Sequence, residues 1–155
     1  MGHKWLAKSE PSVYSIDDLK RDRVTFWEGV RNYQARNFLR DEWKVGDEIL
    51  FYHSNAEPAG VYGIAKVKRV GVPDSTQFNK KSDYYDPKSN PSEPRWYSPE
   101  IVFVKKFRSP VTLEMIKKEK ALSTMGVIKR GNRLSVQPVS DVEYKTILKL
   151  ASSDE

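Results

Sequence analysis

The stretch from Trp27 to Arg40, WEGVRNYQARNFLR, gathers the side chains that a binding pocket needs. Trp27 and Tyr33 are flat rings, Asn32 carries a paired donor and acceptor, and Arg31 is a planar cation. Gly29 gives the intervening turn its freedom. This cluster stands just before a helical pattern, and its parts suit a flat, polar heterocycle, of which a nucleobase is the obvious case.

Other chemistries find few candidates. The chain has no cysteine, which excludes disulfides and thiolate metal sites. His3 and His53 are its two histidines, so neither a tetrahedral zinc site nor a cofactor is expected. It holds no phosphate-cradling glycine loop, no dinucleotide fingerprint and no HExxH. A triad could be assembled from Ser9 or Ser54 with His53 and Glu10, but no nucleophile-elbow sequence supports it. His53 sits in a strand pattern between Tyr52 and Ser54, where a hydrogen-bonded core or pocket residue is the simpler expectation than a general base.

The elements that must position these groups follow from pattern. Lys4 to Ser9 reads as a first strand, stopped by Glu10-Pro11. Ser15-Ile16-Asp17-Asp18 has capping-box spacing and predicts a short helix through Leu19 to Arg21. Arg23 to Trp27 is β-rich. After Asn32, a helix carries Ala35, Phe38 and Leu39 on one face, with Arg36 and Arg40 on another. Glu48 to Ser54 and Gly60 to Val70 form the clearest hairpin, and the first of these strands is apolar on both sides. Glu100 to Phe107 is a further strand. Thr112 caps a helix reaching Leu122, Arg133 to Gln137 is a short strand, and the Ser140–Glu143 capping box starts a last helix. Residues 71 to 99 hold five prolines together with Phe78, Tyr84, Tyr85, Trp96 and Tyr97, which predicts a packed loop with aromatic anchors.

These elements do not alternate as regular βαβ units. They predict an α+β fold: a small twisted barrel or half-barrel of about five or six strands, with short helices packed around it. The 155 residues suit one domain, expected over 1–151 with 152–155 as a flexible tail. With 38% hydrophobic and 31% charged residues, no run long enough to span a membrane and no signal-like opening, the chain reads as a globular protein with no membrane partner. Cytoplasmic residence is the default expectation, with the nucleus left open. The net charge is +6, and its excess is concentrated: residues 104 to 133 hold nine lysines and arginines against Glu114 and Glu119. Such a region either attracts a polyanion or forms a solvated basic face.

Several motifs together resemble the EVE domain family of the PUA-like superfamily. They are KWLAKSEP, WEGVRNYQARNFLR, GDEILFYHS, GVYGIAKV, and YDPKS followed by PRWY, in that order along nearly the whole chain. A looser similarity extends to YTH domains, which read a methylated adenine in RNA. The resemblance implies a base-holding pocket. In it, Lys8 and Ser9 end the first strand, Trp27 is a stacking wall, Asn32 and Tyr33 line the polar edge, and Tyr52, His53 and Ser54 close the floor. A second wall is expected from Tyr85 or Trp96, without a choice between them. Arg31 and, from the basic region, Lys105, Lys106, Lys129 and Arg130 are the expected contacts to a nucleic-acid backbone. The implied function is non-enzymatic: a reader of a modified base in DNA or RNA, discriminating a methyl-sized mark by roughly 1–3 kcal/mol. The rivals are a base- or nucleotide-acting enzyme using His53 and a protein-interaction module with unknown partners.

Overall fold

The structure, a computed structural model, describes residues 3–152. One six-stranded sheet organises it: β1 (Lys4–Ser9), β2 (Val24–Phe26), β3 (Glu48–His53), β4 (Gly60–Arg69), β5 (Glu100–Thr112) and β6 (Val136–Val139). The strand order is β2-β5-β4-β3-β1-β6, with β1 parallel to β3 and all other pairs antiparallel. Register shifts at Phe51/Tyr52 in β3 and at three points along β4 bend the ladder. The sheet curls into a half-barrel, as the PUA-like expectation required.

Both faces are covered, which explains why β3 is apolar throughout. Ile49 and Phe51 join Trp5, Ile16, Leu19, Leu39 and Ile101 in one cluster, while Leu50 and Tyr52 join Leu6, Phe107, Ile116 and Ile147 in the other. Each such fully buried aliphatic side chain contributes about 1.5–3 kcal/mol. Close strand contact is enforced at Gly60, where a Cβ would stand 2.4 Å from the Val111 carbonyl oxygen. β5 therefore runs on past the expected end at Phe107, so that Val111 and Thr112 pair with Val61 and Gly60.

The helices are α1 (Ile16–Asp22), α2 (Tyr33–Asn37), α3 (Leu113–Lys118) and α4 (Asp141–Ser152). The predicted capping boxes are in place. Ser15 Oγ accepts the Asp18 N–H at 3.1 Å, and the Asp18 carboxylate accepts the Ser15 N–H at 2.9 Å. Ser140 and Glu143 exchange the same pair of bonds at the start of α4. Other boundaries also differ from expectation. α2 stops at Asn37 and passes into one wide turn over Phe38–Glu42, closed by the Trp43 N–H on the Phe38 carbonyl. α3 ends at Lys118, because Glu119 is extended and its carboxylate caps a separate turn at Ala121. β6 begins at Val136, three residues later than expected, where its ladder register with β1 starts at Ala7. Of the expected tail, Ser152 is the last residue of α4, and residues 153–155 lie outside the described residues.

The long segment between β4 and β5 is packed. Gln77 is buried and acts as its hub. Its amide NH2 donates to the carbonyls of Asp74 and Trp96, and its Oε1 accepts from Ser89 Oγ and from the Arg95 and Trp96 N–H groups.

Candidate functional site

An open cavity of about 460 Å³ lies where the curl brings opposite ends of the strand order together. One side is the end of β1, with Lys8, Ser9 and Glu10, and the segment leading into β6, with Arg133 and Ser135. The Lys8 N–H donates to the Ser135 carbonyl at 2.7 Å and ties the two together. The other side is β2 and the turn after it, from Thr25 to Asn32. Val13 and Tyr14 contribute from the loop before α1, and Tyr84 reaches in from the long loop.

Trp27 has two faces of work. It is only 8% exposed, meets Phe51 edge-on at 5.6 Å, and still lines the cavity. The Tyr84 ring, which also lines the cavity, covers Gly29: a Cβ there would fall 2.7 Å from the ring, and φ is +81°. Glycine is thus required both by the backbone and by the aromatic that lies on it.

Buried Asp74 holds this wall in place. Its Oδ2 accepts the Gly29 N–H at 2.8 Å and an Arg31 N–H at 3.1 Å, while Oδ1 accepts the Thr76 N–H at 2.9 Å. Burial alone would raise its pKa, but hydrogen bonds from the Thr76 hydroxyl and N–H, the Gly29 N–H and Arg31 outweigh it and hold the carboxyl below its usual range. Arg31 is equally committed. A guanidinium has five N–H donors, and here they go to the carbonyls of Tyr84 (twice) and Val30, to Asp74 and to Thr76 Oγ1. Its expected role as a contact to a nucleic-acid backbone is therefore corrected: Arg31 fastens the Tyr84 loop.

Of the other expected pocket residues, Lys8, Ser9, Trp27 and Asn32 are brought together around the cavity, and Tyr33, Tyr52, His53, Ser54, Tyr85 and Trp96 are not among its lining. Tyr33 lies outside, half-exposed and stacked on Trp96 at 4.8 Å, with the Arg36 guanidinium 4.8 Å from its ring. Trp96 is a buried plug whose indole N–H donates to Asp86 at 2.7 Å. Tyr84, rather than Tyr85 or Trp96, is the ring of the long loop that lines the cavity. Tyr52 is buried in the second core cluster, and the Ser54 N–H donates to the Ser9 carbonyl.

His53 is engaged by neighbouring elements. Its Nε2 accepts the Ile16 N–H at 3.1 Å, satisfying a free donor at the start of α1, and its ring stacks on Tyr62 at 4.0 Å. Burial pushes its pKa down, with Asp17 opposing and Lys106 adding slightly. The folded state therefore favours the neutral ring. This stability is held above the unfolded value of about 6.5 and is lost as pH falls through the lowered folded value. Thermal melting should accordingly be flat above about pH 6.5 and decline below it; His53→Gln should flatten that decline.

The basic region is divided. Arg133 lines the cavity; Lys129 and Arg130 are exposed on the preceding turn. Lys106 is paired with Asp17 at 2.7 Å. Lys105 borders a separate groove with Ile64, Phe107, Leu148 and Ala151 on the other face of the sheet. Neither Lys105 nor Lys106 is among the residues that line the cavity with Arg133.

Within the cavity several polar groups are unused. Lys8 is half-buried, its pKa lowered by that burial, and neither it nor Arg133 has an acidic partner among the described residues. The Asn32 side-chain oxygen caps α2 by accepting the Ala35 N–H at 3.0 Å, which leaves its NH2 available. Ser9 spends its hydroxyl proton on the Tyr14 carbonyl at 2.6 Å. Glu28 accepts no hydrogen bond from the described residues.

The family model described as EVE domain matches residues 3–150. The chain belongs to the EVE domain family. This EVE domain is 39% identical to mouse thymocyte nuclear protein 1 and 38% identical to the human protein, over 99% and 97% of its own length and 76% and 74% of theirs. A hypothetical protein from Leishmania major has the same fold with a TM-score of 0.93 at 42% identity, covering 99% of this chain and 97% of that one. Human THYN1, solved in complex with DNA containing 5-methylcytosine, superposes with a TM-score of 0.89 at 38% identity, covering 97% and 98%. The curated relatives are named nuclear proteins, and the cytoplasmic default gains no support from them. No described helix is long and apolar enough to cross a membrane.

The sequence singled out neither Tyr84 nor Glu28, Arg133 and Ser135. Arg133 was one of nine basic residues, and only the Lys8–Ser135 strand contact separates it from the rest. Glu28 lies inside the WEGVRN motif itself, but an acid is neither a ring nor a donor.

Proposed function

We propose that this EVE domain is a non-enzymatic reader that holds one modified base of DNA, extruded from its stack, between Trp27 and Tyr84. The observation that carries this reading is the open cavity itself: an indole and a phenol line it, unused donors line it, and no side chain of the described residues fills it. The solved complex of a relative with 5-methylcytosine DNA supports both the polymer and the mark. Arg133, with Lys129 and Arg130 beside it, supplies cations for the flanking phosphates; neutralising three phosphates would give a salt slope of about −2.7. An enzyme using His53 is disfavoured, because the lone pair that a general base needs already accepts the Ile16 N–H. Residence follows the DNA, which makes the nucleus the expected compartment in a nucleated cell.

The test is a titration with matched oligonucleotides carrying 5-methylcytosine, N6-methyladenine or no modified base. One mark should bind tighter than the rest; equal affinities would overturn the reading. Tyr84→Ala should remove most of the preference, since stacking on one ring contributes about 1–3 kcal/mol. Because Tyr84 is 43% exposed, its melting temperature should scarcely move, and the salt-dependent component of binding should persist.

A further inference from the structure

The hydrogen-bonding groups left free in the cavity are unequal in kind. Lys8 and Arg133 can only donate, and the Asn32 NH2, with its oxygen engaged at α2, also donates. Glu28 is the carboxylate that lines the cavity between the Trp27 ring and Gly29 with no hydrogen bond or ion pair to the described residues. Of the other acids nearby, Asp74 is saturated by Gly29, Arg31 and Thr76, and Glu10, at the β1 side of the cavity, already accepts from Asn55 at 3.3 Å through one oxygen.

This imbalance matters because the hydrogen-bonding edges of the bases differ. Cytosine presents an amino donor at N4 beside acceptors at N3 and O2. Thymine, which carries the same methyl group as 5-methylcytosine, presents an acceptor at O4 beside a donor at N3. A site with several donors and one free carboxylate matches the first edge. It meets the second with an acceptor facing an acceptor.

Resting on the base-holding reading above, the geometry points to Glu28 as the specificity-determining residue, accepting from the exocyclic amino group and so selecting amino-bearing bases over oxo-bearing ones. Stacking between Trp27 and Tyr84 cannot make that choice, since every base has a π-face. Nor can the methyl group, which 5-methylcytosine and thymine share. The environment of the carboxyl agrees: Glu28 is exposed enough to meet an arriving amino group, while partial burial and Asp74 raise its pKa against the opposing Arg31.

The experiment compares two short single-stranded oligonucleotides, identical but for one central base, 5-methylcytosine or thymine. The unaltered protein should prefer the first by at least about tenfold, the scale of one well-made base-edge contact. Glu28→Gln keeps the shape but offers a donor as well as an acceptor. It should bring the two affinities within about twofold, by weakening 5-methylcytosine and strengthening thymine, at an unchanged melting temperature. A preference that survives in Glu28→Gln overturns the assignment of Glu28 while leaving the base-holding reading intact. Failure of the unaltered protein to bind either oligonucleotide at low salt overturns both.

Discussion

Asp74→Ala should lower stability by about 3 kcal/mol and, at temperatures where the protein is still folded, remove selective binding as well. The carboxylate is wholly buried and holds three partners from two distant segments, Gly29 and Arg31 in one and Thr76 in the other. Its loss leaves the Gly29 N–H and one Arg31 N–H without their acceptor and weakens the fastening of the Tyr84 loop to the Trp27 turn, which then rests on the Arg31 bonds to Tyr84 and Thr76. Chemical denaturation measures the first effect and titration of a marked oligonucleotide the second. Asp74→Asn separates charge from shape. With a carboxyl held below its usual range, the native protein gains stability that is present above the unfolded value of about 3.9 and is lost as pH falls through the folded one. The asparagine variant should lack that part of the acid transition. An Asp74→Ala protein as stable as its parent would show that the two segments are held by something else.

Trp27→Ala should be the other large perturbation, costing about 3–5 kcal/mol, the usual range for removing a buried tryptophan. The indole packs edge-on against Phe51 in the main core, so this is not the clean probe of the cavity that its place in the motif suggests. Both denaturation midpoint and base preference should fall together. Comparison with Tyr84→Ala then divides the effects, since that ring is nearly half exposed and contributes to the wall with little contribution to the core. Equal stability losses in the two variants would contradict the placement of Trp27.

The histidine shows how one residue can read correctly in pattern and still mislead in function. Its burial in a strand covered on both sides followed from the apolar run around it, and the structure agrees. Whether it faced the cavity did not follow. Alternation places His53 with Phe51 and Ile49 on one face, yet β1 lies between β3 and β6 in the sheet. The cavity opens beyond the end of β1, so the group facing His53 is the first N–H of α1, while Lys8 and Ser9 reach the cavity edge.

What the sequence determined by itself was local and periodic. Reciprocal caps at Ser15 and Ser140 fix helix starts through bonds between residues three apart, and the β3–β4 hairpin joins strands close along the chain. The WEGVRN motif marked the right turn, because a ring, a glycine and a cap must follow one another for such a turn to form. The tertiary structure alone decided which ring of the long loop joins Trp27 in lining the cavity. Tyr84 and Tyr85 are chemically alike neighbours; Tyr84 becomes the wall because Arg31, fifty-three residues away, draws its carbonyl in by two N–H bonds. That long-range constraint leaves no trace in spacing or composition. For the same reason Arg31, which looked like a free cation, proved to be a strut: its role depends on acceptors that only folding brings to it.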